Sequence, residues 1–168
     1  MISSSLLPEF DQELKTTRRV LERIPDDKLD YKPHARSMSA RELSSHIAEM
    51  ISWLTVTMNT TSLDLAPPGQ EPWKPFSAAS NAQLLQKFDD NVTAARAALA
   101  ASSDADMMVS WSLMRAGATL MTMPRVACVR GFVFNHIIHH RGQLSVYLRL
   151  NDIPVPSIYG PSADEGKM

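Results

Sequence analysis

The stretch Asn135–Leu144 reads NHIIHHRGQL and carries three of the chain's five histidines. It lies inside a longer segment, about Pro124 to Leu150, whose apolar residues recur at helical spacing. At about 100° per residue, His136 and His140 stand one turn apart on one helix face. Val129, Gln143 and Tyr147 share that face, and Phe132 and Val133 flank it. The imidazoles therefore interrupt an apolar stripe instead of facing solvent. Spacing alone also permits a His136/His139 pair, so the role of His139 stays open at this point.

A second segment, about Ala40 to Thr60, repeats the pattern. Ser39 and Glu42 form an S-x-x-E capping box at its start. Leu43, Ile47, Met50, Ile51 and Leu54 make its apolar face, and His46 sits on the side of Leu43, Met50 and Trp53. Two helices thus point imidazoles into one core. Three buried imidazoles are costly unless their polar nitrogens are satisfied. One divalent cation satisfies all three, because neutral imidazole is a common ligand for zinc, nickel and iron. The sequence is not H-E-x-x-H, since Ile137 stands where a zincin carries its general base. Three histidines without a fourth protein ligand leave a coordination position open, which is the catalytic pattern and not the closed structural one.

Two further helices complete the pattern. One spans about Pro8 to Ile24, with Phe10, Leu14, Thr17, Leu21 and Ile24 on one stripe, Ser5 as its cap and Pro25 as its stop. The other spans about Asn81 to Ala101, with a capping box of Ser80 and Gln83. Residues 61–79 hold four prolines and a glycine and read as a long irregular connection able to roof a site. In Met107–Thr122, Val109, Trp111 and Leu113 alternate with serines and Gly117 offers a turn, which predicts a short β-hairpin or extended crossover. The tail after Leu150 is proline-rich and irregular. The expected fold is all-α: a four-helix bundle in a single domain, residues 1–168, with long connections and a short hairpin before the last helix.

Composition narrows the function. A net charge of −1 lacks the basic surplus of a nucleic-acid binder. No apolar run approaches the ~20 residues of a membrane span, and the N-terminus does not read as a signal peptide. The lone cysteine, Cys128, rules out an internal disulfide and reads as a buried inert thiol. A cytoplasmic protein is expected.

Among residues near the histidines, Glu49 is a candidate general base or orienting partner. Gln143, at i+7 from His136, is a candidate for orienting a ligand or bound water. Glu42 is better read as a cap. Arg41 and Arg141 are candidates for holding an anionic substrate or a thiol cofactor.

SARELSSHIAEM (Ser39–Met50), NHIIHHRGQLSVYLRLNDIPVPSIYG (Asn135–Gly160) and IPDDKLDYKP (Ile24–Pro33) together resemble the DinB/YfiT-like family. That resemblance implies an up-down-down-up bundle with one divalent metal, often nickel or zinc. Position by position, the ligands fall on His46, His136 and His140, which leaves His139 as a neighbour. It also implies a homodimer. Relatives of this type include low-molecular-weight-thiol S-transferases and a thiol-dependent maleylpyruvate isomerase. Two functional classes follow. One is a metal-dependent enzyme acting on a small-molecule substrate, either a hydrolase or a thiol transferase using a low-molecular-weight thiol. The other is a non-catalytic metal-containing dimeric bundle with a stress-related, sensing or partner-binding role.

Overall fold

The computed structural model describes residues 1–166; the last two residues of the expected irregular tail lie outside them. Four long helical stretches dominate. Helix α1 covers Ile2–Leu21, α2 Ala40–Met50, α3 Ser52–Asn59 and α4 Asn81–Ala100. After the short α5, Asp104–Met108, and two strands comes a final helical run. That run consists of α6, Arg125–Cys128, a π-helical segment, Val129–Asn135, and α7, His136–Leu150. Helices α1 and α2 each pack against both α4 and α7. Phe10, Leu14, Leu43, Ile47, Leu84, Phe88, Val133 and Leu144 fill the space between them. Burying each such side chain is worth about 1.5–3 kcal/mol.

The helix boundaries differ from the sequence reading where tertiary contacts act. Helix α1 starts at Ile2, six residues before Pro8, because its first turn is docked. The Ile2 N–H donates to Asp104 Oδ1 at 2.6 Å and the Ser3 hydroxyl to the Ser102 carbonyl at 2.9 Å. Ser5 is therefore not the cap; its hydroxyl donates back to the Ile2 carbonyl. Pro8 lies inside the helix on an exposed face, where water can serve the carbonyl its missing N–H leaves free. The capping box of Ser39 and Glu42 is formed. At α4 only half of the expected box exists: Ser80 Oγ accepts from the Gln83 N–H, but the Gln83 side chain accepts from Ala79 instead. The second helical stretch divides at Ile51, where the Ser52 hydroxyl donates back to the Glu49 carbonyl at 2.7 Å.

A small three-stranded sheet corrects the all-α expectation. Strands β1, Ser62–Asp64, β2, Ser110–Arg115, and β3, Ala118–Pro124, lie in that order. β2 and β3 are the expected hairpin. Ala116 and Gly117 both have positive φ, 51° and 78°, as a two-residue type I′ turn requires. β1 pairs parallel to β2 and was hidden in the proline-rich connection. The Asp64 carboxylate ties the pieces together by accepting from the N–H groups of Ala66, Ala116 and Gly117 at 2.9, 3.0 and 2.8 Å. Under the sheet a second apolar cluster forms around Trp111, Leu113 and Cys128. The Trp111 indole N–H is satisfied by Thr60 Oγ1 at 3.2 Å. Among the described residues no helix is long and apolar enough to cross a membrane.

Candidate metal centre

Helix α2 presents His46 and α7 presents His136 and His140, where these two helices pack. One nitrogen from each imidazole lies within 4.8 Å of those of the other two. His46 Nε2 and His136 Nε2 are 3.3 Å apart. All three rings are half-buried. The core stripe of α7 is Ile137, Arg141, Leu144 and Leu148, so the histidines stand at its edge and not in its middle. The π-helical turn explains the difference. It widens the helix between Val129 and Asn135, so 100° per residue no longer relates Val129 to His136. Such turns recur at functional sites.

Burial holds all three imidazoles toward their neutral form. His46 is lowered to about 4, first by desolvation and then by His140 and His136. His136 and His140 are lowered as well, again chiefly by desolvation. A neutral imidazole offers the lone pair that a cation needs. His140 Nδ1 lies 2.7 Å from Gln143 Oε1, an arrangement that puts the proton on Nδ1 and leaves Nε2 free.

The remaining sequence candidates have other surroundings. His139 is exposed, with its ring centroid 5.0 Å from that of His140, and stands outside the three-imidazole cluster. Arg141 is 1% exposed. Its guanidinium pairs with Glu13 at 2.7 Å and donates to Thr17 Oγ1 at 3.2 Å and Tyr159 Oη at 2.7 Å. It is a core ion pair that holds the tail on α1 and is not offered to a ligand. Cys128 is buried, and desolvation raises its thiol pKa against a contact with Thr57.

Arg41, Glu49 and a residue absent from the candidates, Ser45, form a ladder. They are spaced by four along one face of α2 and grip the end of the 61–79 connection. Arg41 donates to the Ala78 carbonyl, Ser45 Oγ accepts from the Ala78 N–H at 3.0 Å, and Glu49 Oε2 accepts from the Phe76 N–H at 3.1 Å. Arg41 also pairs with Asp30. Burial raises the Glu49 pKa, opposed by the Phe76 N–H and Lys87. The i, i+4, i+8 spacing was visible in the sequence, but its partner is loop backbone, which leaves no side-chain signature.

The connection so held does roof a cavity of about 630 Å³ that opens beside His46 and includes Trp73 and Phe76. A smaller cavity of about 370 Å³ opens beside His140. Fold and site thus define a helical protein with a small sheet and a cluster of three imidazoles where two helices meet.

Comparison with known proteins agrees with that class. The DinB family matches residues 1–167, and the chain belongs to the DinB family. The uncharacterized protein YrdA of Bacillus subtilis is 24% identical over 159 residues, covering 95% of this chain and 89% of YrdA. A DinB-like protein from Bacillus cereus superposes with a TM-score of 0.71 at 21% identity, covering 93% of this chain and 97% of that one. The DinB-like protein YjoA of Bacillus subtilis gives 0.68 at 21% identity, covering 92% and 97%. These two solved structures share the fold.

Proposed function

We propose that this protein is a metal-dependent enzyme in which His46, His136 and His140 hold one divalent cation, nickel or zinc. The observation that carries the reading is the convergence of three neutral-leaning imidazoles within 4.8 Å. The His46–His136 pair of the donor set fits such a cation. Two nitrogens bound tetrahedrally at about 2.05 Å lie about 3.3 Å apart, which matches the His46–His136 separation of 3.3 Å. With three protein ligands, the cation keeps room for water, thiol or substrate. When bound, it supplies Lewis acidity and lowers the pKa of a coordinated water or thiol.

The chain's own residues do the rest. Gln143 fixes the His140 tautomer. The Arg41, Ser45 and Glu49 ladder holds the roof over the larger cavity. A cation held by His46, His136 and His140 would supply the activated water for hydrolysis or the activated low-molecular-weight thiol for transfer. The pairwise packing, α1 and α2 each on α4 and α7, supports an up-down-down-up four-helix arrangement, and a cytoplasmic homodimer accompanies this reading. A turnover screen tests it. Metal-loaded and metal-stripped protein are given ester and amide substrates, and small thiols with electrophiles. Turnover in at least one panel, lost on stripping, is expected. No rate above stripped protein in any panel favours a non-catalytic metal-containing bundle instead.

A further inference from the structure

The larger cavity differs from the smaller one in charge and in aromatic content. His46 forms part of its lining, and Trp73 and Phe76 line it from the gripped connection. Lys32, Arg36 and Met38 line it from the segment that precedes α2. Two cations therefore meet one carboxylate, Glu42, which also lines the space. That carboxylate is already engaged: it accepts from the Ser39 N–H at 2.6 Å and lies 3.5 Å from Lys32 Nζ. These contacts, led by the Ser39 backbone N–H, hold its pKa below the ordinary value. Arg36 is exposed, and its guanidinium has no ion-pair partner among the described residues. Trp73, which lines the same cavity, keeps 42% of its surface exposed. The smaller cavity shares Ser37 and Met38 with the larger one but has no Lys, Arg, Asp or Glu on its walls.

A free guanidinium recognises a carboxylate or similar planar acid with two parallel hydrogen bonds. An exposed indole next to a phenyl ring favours a flat apolar body. A cationic ligand would meet like charge from Arg36 and Lys32. We propose that the larger cavity binds a small organic anion with a planar apolar body. Its acid group lies on Arg36 and Lys32, its body lies against Trp73 and Phe76, and its far end is directed to the imidazole cluster. As a statement of substrate class this rests on the enzyme reading above; as a statement of binding it does not require a metal.

The experiment uses the full chain, metal-loaded and metal-stripped, with 2-naphthoate as anionic probe and 2-naphthalenemethanol as its neutral counterpart. Dissociation constants come from calorimetry. In both forms naphthoate is expected to bind about tenfold more tightly than the alcohol. Arg36→Gln is expected to remove that preference, and Trp73→Ala to weaken both probes. Both residues are exposed, so circular dichroism is expected to show unchanged folding. Equal affinity for the two probes, or a preference untouched by Arg36→Gln, would overturn the proposal. So would naphthoate binding that needs the metal and ignores Arg36, since the acid would then sit on the cation. Metal-stripped protein that keeps the preference upholds the cavity even if the metal centre fails. Stoichiometric metal without the preference overturns the cavity alone.

Discussion

His140 Nδ1 and Gln143 Oε1 stand 2.7 Å apart, three residues along one helix. The amide oxygen accepts the Nδ1 proton and so reserves Nε2 for the cluster. Gln143→Ala removes this control over tautomer and ring orientation. Metal affinity is expected to fall by about 10–100-fold, the usual effect of losing a hydrogen bond behind a metal-binding histidine. Competition with a chromophoric chelator measures it, and an unchanged affinity would contradict the assignment.

Glu49 separates two roles. Its carboxylate accepts the Phe76 N–H at 3.1 Å. Glu49→Ala leaves that N–H unpaired and is expected to destabilise the protein by about 1–3 kcal/mol in urea unfolding. Glu49→Gln keeps an acceptor, so stability is expected to stay close to that of the parent. A loss of turnover in Glu49→Gln at full stability would mark the carboxylate as a base; retained turnover would mark it as an anchor for the roof.

Arg141 is expected to matter for stability and not for ligand binding. Arg141→Ala leaves the buried Glu13 carboxylate without its cation, with the Tyr159 hydroxyl still donating to it. Breaking such a pair costs about 3–5 kcal/mol, which chemical denaturation reads directly. Metal uptake by the folded fraction is expected to be unchanged.

Asp64 gives the sheet a pH dependence. Three backbone N–H groups, that of Ala66 foremost, hold its carboxyl below the ordinary aspartate range. A folded pKa below the unfolded one means that the unfolded chain takes up the proton first. The stabilisation is therefore complete above the unfolded pKa and is lost as pH falls through the lowered folded value. In Asp64→Asn this acid-side loss is expected to disappear from stability measured against pH. An identical acid limb in both proteins would contradict the turn-capping role.

The sequence made the long helices legible because their information is local: apolar stripes, the Ser39 and Glu42 box, and Pro25 as a stop. The hairpin was legible from the alternation around Trp111 and from Gly117. What escaped depends on distant partners. Helix α1 begins early because Asp104 and Ser102 receive its first turn. β1 exists because β2 pairs with it, although its own three residues carry no period. The π-helical turn is invisible to a fixed 100° step, which is why His136 and His140 were expected inside the stripe and stand at its edge. Arg141 read as a candidate for holding an anionic ligand because its carboxylate partner, Glu13, is 128 positions earlier in the chain. The meeting of His46 with His136 and His140 was legible, since each lies at the helical offset that faces the neighbouring helix.

His46, His136 and His140 are proposed to hold one divalent cation. The most direct measurement is metal content by mass spectrometry after loading and desalting, in the parent, His46→Ala and His139→Ala. One equivalent of metal is expected in the parent and in His139→Ala, and a small fraction of that in His46→Ala. Equal content in the parent and His46→Ala would contradict it.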